Sequence, residues 1–309
     1  MINVLFAALD ERWEDYRAPL THAFDQAGLA VDLRTDFAPN EVDYIVYAPN
    51  STLTDFTPYT RAKAVINLWA GVEAVVNNPT LKIPLARMVD EGLSRGMVEW
   101  VTGHVLRHHL GMDAHITGQT GDWAPAAPPL AKDRPVTILG LGALGQACAE
   151  ALVQLGFPVT GWSRSAKDVA QITTTHGQAG LEEALSRAQI LVLLLPNTPQ
   201  TQNILNAATL NMMPKGAMII NAGRGPLIDD DALITALDMG HIGHATLDVF
   251  RIEPLPRNHA FWAHPNVTVT PHIASITRPE TAAQVIAENI TRVEAGAPLL
   301  NQVDVNLGY

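Results

Sequence analysis

The feature that most restricts this chain is a run of three consecutive signals. An apolar, β-branched stretch at 135–139 (PVTIL) enters GLGALG at 140–145, which continues as the helical pattern QACAEALVQLG. A second strand-like run resumes at about Val159, so the glycines sit in a strand–turn–helix–strand unit. In that setting Gly140 permits a tight turn, Gly142 lets backbone approach a pyrophosphate, and Gly145 lets helix pack closely on sheet. The helix start, with Ala143 and Leu144, offers unpaired N–H groups and partial positive charge to phosphates. The unit reads as a dinucleotide site.

The end of the second strand selects between nicotinamide cofactors. A site for NAD places an acid about 20 residues past the glycines to hold the ribose hydroxyls. Here the chain reads Val159-Thr160-Gly161-Trp162-Ser163-Arg164-Ser165, without an acid. A carboxylate would repel a 2′-phosphate, whereas the planar fork of Arg164 can pair with one. Ser163 and Ser165 add hydroxyl donors. We read the cofactor as NADP in preference to NAD, and not Arg164 as a merely solvated charge.

Strand-like and helix-like runs alternate through most of the chain. Strands are expected at 3–8, 30–34, 43–48, 64–68 and 83–88, then at 135–140, 157–163, 190–195, 217–221, 244–249 and 267–270. Helices are expected over 13–27, in one long stretch from about 96 to 115, and over 278–294. Segment 121–135 is too rich in Pro and Ala to form one regular element. Such alternation argues for parallel sheets covered by helices. At 309 residues the chain exceeds what one core of ~250 residues usually holds. The expected fold is α/β, with two doubly wound parallel-sheet domains and a cleft between them for a small molecule.

Charge narrows the partners. The net charge is −11, so a broad basic footprint for nucleic acid is absent, and an anion must be held by a few local cations and amides. No apolar run approaches the ~20 residues needed to span a bilayer. The N-terminal MINVLFAALDERW lacks a basic region and a cleavage site. The lone cysteine, Cys148, excludes an intrachain disulfide and reads as a buried helix residue. These features fit a cytoplasmic protein. His104 and His108 share a helix face, but no HExxH pattern or obvious third ligand accompanies them, so no metal site is expected.

Three loops after late strands carry chemistry. NAGRGPLIDDDAL (221–233) holds Arg224, LDVFRIEPLP (247–256) holds Glu253, and VTVTPHIASITRPE (267–280) holds His272. Reduction of a 2-oxo acid needs a cation for the carboxylate and ketone, an acid for the developing alkoxide, and a group that tunes this acid. The three residue types match these needs.

In these motifs the chain resembles the D-isomer-specific 2-hydroxyacid dehydrogenases, and among them the shorter glyoxylate/hydroxypyruvate reductases. The resemblance rests on GLGALG, LLPNTPQTQNIL (194–205), MMPKGAMIINAGRG (212–225), LDVFRIEPLP and TPHIAS (270–275), with thinner support from WAGVEAVV (69–76) and GMVEW (96–100). It implies a Rossmann cofactor domain at 98–275 and a discontinuous, flavodoxin-like substrate domain at 1–97 and 276–309. It implies that Arg224 binds substrate, that His272 is the general acid/base, and that Glu253 bonds His272 and favours the imidazolium. Gly71 and Val72 should give amides to the substrate carboxylate, and Pro196 and Asp248 should contact the cofactor, Asp248 at the nicotinamide amide. A homodimer is implied, with an arm around Trp123 reaching the partner. The sequence departs from the family pattern at Glu73, where Asp is usual, and at Gly223, whose backbone freedom is expected to loosen Arg224. The expected activity is NADPH-dependent reduction of glyoxylate and hydroxypyruvate. Alternatives are a larger 2-oxo acid and, outside catalysis, a dinucleotide-sensing corepressor.

Overall fold

Near-continuous apolar runs such as YIVY and ILVL place both faces of the central strands against side chains, and two parallel sheets follow from that pattern. The computed structural model describes residues 1–305 and 307–308. The chain divides into two units, Met1–Leu93 with Ile276–Tyr309, and Ser94–Ser275.

The first unit contains β1 (Ile2–Ala7), α1 (Asp10–Gln26), β2 (Val31–Arg34), β3 (Tyr44–Tyr47), β4 (Ala64–Asn67) and β5 (Leu85–Ala86). Helix α2 (Glu91–Leu110) begins there and continues into the second unit. The strands run parallel in the order β2-β1-β3-β4-β5, the doubly wound order of flavodoxin-like sheets. Strand alternation sends Val4 and Phe6 to one face and Leu5 to the other. On the first face, Tyr16, Leu20 and Phe24 of α1 pack with residues of the C-terminal helix. Gly28, at φ 68°, ends α1, a conformation that costs glycine little.

The second unit holds the rest of α2, then α3 (Met112–Ile116), β6 (Val136–Leu139), α4 (Ala143–Gln154), β7 (Val159–Ser163), β8 (Thr173–His176), α5 (Gly177–Arg187), β9 (Ile190–Leu193), α6 (Ala207–Asn211), β10 (Ala217–Asn221), α7 (Asp230–Asp238), β11 (Ile242–Leu247) and β12 (Val267–Val269). The chain then returns to the first unit as α8 (Pro279–Glu294). The second sheet is also parallel, in the order β12-β11-β10-β9-β6-β7-β8. The order reverses between β6 and β9, and ligands of open sheets bind beyond the strand ends at that point. Val101 and Val105 of α2 and Leu152 of α4 cover one face, and Leu181 and Leu185 of α5 cover the other. Truncating a fully buried residue such as Leu152 to Ala should cost roughly 2–5 kcal/mol.

Local differences from the expected elements have physical causes. The long helix at 96–115 is two helices, because Gly111 adopts φ 62° between α2 and α3. Strand β8 (TTTH) escaped the pattern reading because it is a polar edge strand with no apolar alternation. The run expected at 83–88 pairs only as Leu85–Ala86. Among the described residues no helix is long and apolar enough to cross a membrane.

Candidate active site

The glycine turn lies at the switch point. Gly140 leaves β6 at φ 111°, and a Cβ there would stand 2.6 Å from Leu194 O, on the loop following β9. Gly145 is closed to any side chain, since a Cβ would fall 1.8 Å from Gly140 O. Gly142 differs: a Cβ there would meet nothing within 4 Å. Protein packing therefore gives no reason for glycine at 142, whereas close approach of a ligand does. Gly142 and Ala143 are exposed, and α4 starts without a side-chain cap and without an acid in its first turn. Leu144 is partly buried behind them. This is an open, electropositive helix start that fits a pyrophosphate.

Around it, Ser163 is buried at the end of β7, and its Oγ donates to Ser165 O at 2.8 Å, tightening the loop that carries Arg164. Lys167, absent from the residues expected, reaches back from this loop, with Nζ 2.5 Å from Leu141 O in the glycine turn. Its signal in the sequence is a second cation three residues past Arg164. Pro196 lies on the neighbouring loop, where its carbonyl accepts the Thr201 hydroxyl at 2.7 Å.

The catalytic candidates gather at the ends of β10, β11 and β12. Asn221, buried at the end of β10, accepts Gly223 N–H at 3.1 Å and donates Nδ2 to Arg224 O at 3.0 Å. Arg224 Nη1 also donates to Gly223 O at 2.7 Å. The expectation that Gly223 loosens Arg224 is therefore corrected. Gly223 is not in a left-handed conformation, and it is glycine because a Cβ would stand 2.9 Å from Leu195 O and 3.0 Å from Leu227. Gly225 is more confined, with a Cβ position 1.9 Å from Phe250 C, so the Arg224 loop seats directly on the loop that carries Glu253.

His272 has φ 54°, a left-handed backbone in a residue with a side chain. Such strain persists only where neighbours over-determine it. Here His272 N–H donates to Asp248 O at 2.9 Å, and Asp248, which is buried, holds both flanks of the turn. Its Oδ1 accepts Thr270 Oγ1 at 2.6 Å and Ile273 N–H at 2.8 Å, while Oδ2 accepts Ala274 N–H at 2.9 Å. Asp248, expected at the nicotinamide, thus has a loop-holding task that occupies both carboxylate oxygens. His272 Nδ1 stands 2.7 Å from Glu253 Oε2, and Glu253 Oε1 accepts Phe250 N–H at 2.8 Å. The imidazole is half-exposed, with Nδ1 committed to the carboxylate and Nε2 without a hydrogen-bond partner among the described residues.

Gly71 and Val72 follow β4 in the first unit. Asn67, fully buried, donates Nδ2 to Trp69 O at 2.8 Å and Gly71 O at 2.9 Å, shaping their loop. Asn67 was not among the expected residues. Of the helix-face histidines, His108 bonds Thr246 Oγ1 through Nε2 at 2.9 Å, and burial pushes its imidazole down to about 3. Burial pushes the Cys148 thiol up to about 12, an inert structural group.

Residues 102–274 match the family model described as D-isomer specific 2-hydroxyacid dehydrogenase, NAD binding domain. The chain belongs to that family. It is accordingly an NAD(P)-dependent oxidoreductase of the 2-hydroxyacid dehydrogenase class. It is 37% identical to glyoxylate/hydroxypyruvate reductase A of Serratia proteamaculans, with 100% of each chain covered. It is 40% identical to the Yersinia enterocolitica protein of the same name, over 89% of this chain and 90% of that one. Among solved structures, it resembles a D-isomer specific 2-hydroxyacid dehydrogenase from Xanthobacter autotrophicus in complex with NADPH and MES. That likeness has a TM-score of 0.92 and 40% identity, covering 100% and 99% of the two chains. It also resembles an NADPH-dependent glyoxylate/hydroxypyruvate reductase from Sinorhizobium meliloti, in complex with NADP and sulfate. Here the TM-score is 0.85 and identity 35%, with coverage of 100% and 99%.

Proposed function

We propose that the protein reduces glyoxylate and hydroxypyruvate to glycolate and D-glycerate with NADPH. The observation that carries this reading is the 2.7 Å pairing of His272 Nδ1 with Glu253 in the unit that also holds Arg224 and the glycine turn. NADPH, when bound, would supply the hydride for the substrate's C2 carbonyl carbon. Arg224 holds the substrate carboxylate and draws electron density toward the carbonyl oxygen. The amides of Gly71 and Val72 share the carboxylate. His272 donates its Nε2 proton to that oxygen as negative charge develops, and Glu253 keeps the ring oriented.

Gly140, Gly142, Ala143, Leu144 and Gly145 bind the pyrophosphate, beside Pro196. Arg164 and Lys167, on the loop after β7, hold the 2′-phosphate. The absence of an acid at the end of β7 and the names of the relatives both support NADPH over NADH. The same reading makes the protein a cytoplasmic homodimer. Trp123, 96% exposed on a segment without helix or strand, would reach the partner.

The test is a matrix of initial rates, NADPH and NADH against glyoxylate, hydroxypyruvate, pyruvate and phenylpyruvate. The proposal expects NADPH with the first two to give the highest kcat/KM. Preference for phenylpyruvate would move the substrate to a larger 2-oxo acid, and tight NADPH binding without any turnover would remove catalysis.

A further inference from the structure

We propose that Arg87 is a second carboxylate-binding cation, which holds the 2-oxo acid together with the Gly71 and Val72 amides. The inference deepens the substrate reading above and rests on it.

Arg87 leaves the C-terminal end of β5. Strand register pairs Val65 with Leu85 and Ile66 with Ala86, so the next step sets Arg87 beside Asn67, the residue that shapes the Gly71 loop. Met88 N–H donates to Trp69 O at 3.0 Å, tying the segment after Arg87 to the start of that loop. Leu85 packs in the cluster that contains Val72 and Val75, whereas Ala86 and Met88 pack in the cluster on the other face. Alternation therefore turns Arg87 toward the face of Val72.

The guanidinium has no hydrogen bond and no ion pair among the described residues, although Arg87 is partly buried. Several other basic residues of this unit have a carboxylate partner: Arg61 has Asp43, Arg34 has Asp32 and Lys63 has Glu294. With 31 acidic residues against 20 basic ones, the chain does not lack carboxylates. Burial alone lowers the Arg87 pKa, with no neighbouring charge to offset the desolvation. An arginine keeps its proton even so, and a desolvated cation is stabilised by an anion. The amides of Gly71 and Val72 likewise donate to no acceptor among the described residues, and Val72 is buried. A buried amide without an acceptor is unfavourable. One carboxylate would satisfy all three donors: two amides with fixed direction and one guanidinium with a planar fork.

Arg87→Met keeps the aliphatic stem and removes the charge. It should raise KM for glyoxylate and for hydroxypyruvate about 10- to 100-fold, the loss of one charged hydrogen-bonding partner, while KM for NADPH stays at the parental value. Oxalate, a 2-oxo acid mimic that is not reduced, should lose affinity by the same factor in titration calorimetry of the NADPH-bound protein. Arg87→Lys, which holds a point charge without the fork, should fall between parent and Met in both measurements. A folded Arg87→Met variant with parental KM and parental oxalate affinity overturns the inference and leaves the reductase reading standing. Should Arg87→Met not fold, parental oxalate affinity in Arg87→Lys overturns it instead. A parent protein that binds oxalate through Arg87 yet reduces no 2-oxo acid refutes the activity and keeps the anion site.

Discussion

Glu253 uses its two carboxylate oxygens for two tasks: Oε2 holds His272 Nδ1 at 2.7 Å, and Oε1 holds its own loop through Phe250 N–H at 2.8 Å. The second contact aims the first. Because Gly225 seats the Arg224 loop against Phe250, Arg224 and Glu253 share one support.

Glu253→Gln preserves size and one acceptor but removes the charge. It should lower kcat on the order of 10²-fold, within the range for general acid catalysis, and leave KM for NADPH unchanged. His272→Ala should lower kcat by roughly 10²–10⁴-fold with NADPH binding intact by fluorescence titration. Retention of most activity in His272→Ala would remove His272 from the mechanism.

Two glycines of one turn should fail in different ways. Gly145→Ala drives a methyl to within 1.8 Å of Gly140 O, and overpacking of that kind costs about 1–3 kcal/mol or more, read as a lower Tm without ligand. Gly142→Ala meets no protein atom and should leave Tm unchanged while weakening NADPH binding. Equal effects of both substitutions on stability would contradict the ligand reason for Gly142.

Cofactor choice should depend on Arg164 and Lys167 jointly. Loss of a charged bond to phosphate is worth about 1.5–3 kcal/mol, so Arg164→Ala should raise KM for NADPH roughly 10- to 100-fold and barely change KM for NADH. Lys167→Met should act in the same direction. Because Lys167 also bonds Leu141 O, it should weaken NADH binding slightly as well. Parental cofactor preference in the double variant would assign the 2′-phosphate elsewhere.

Acid should destabilise the second unit through its buried histidines. Burial pushes His108 down to about 3 and His244 down to about 4, against an ordinary value near ~6.5 in the unfolded chain. Below pH ~6.5 the unfolded chain takes up protons that the folded state refuses, so this contribution is complete above that pH and is lost as pH falls toward 4 and then 3. Thermal melts should show Tm declining through this window. His108→Gln should flatten the decline, and an unaltered slope in that variant would assign it to other groups.

Much of the second unit was legible from local pattern. The turn at 140–145, the strands that feed it and the missing acid beyond β7 all follow from residue type and spacing, because backbone freedom and charge act locally. The candidate residues Arg224, Glu253 and His272 were legible as residue types on loops after strands, and the family resemblance supplied their roles. Strand β8 was not legible, since an edge strand of Thr and His needs no alternation when a neighbour supplies its hydrogen bonds.

By itself, then, the sequence determined the glycine turn at 140–145, the parallel α/β class and the candidate chemistry, because these depend on backbone sterics and on periodicities of 2 and 3.6. Only the tertiary structure decided that Gly145 is demanded by packing whereas Gly142 is left open, and that Asp248 braces the strained backbone of His272. It also decided that Lys167 returns to the turn and that Arg87 has no counter-ion among the described residues. Each of these depends on which groups meet across long separations in sequence, and burial, not residue type, makes such meetings energetically decisive.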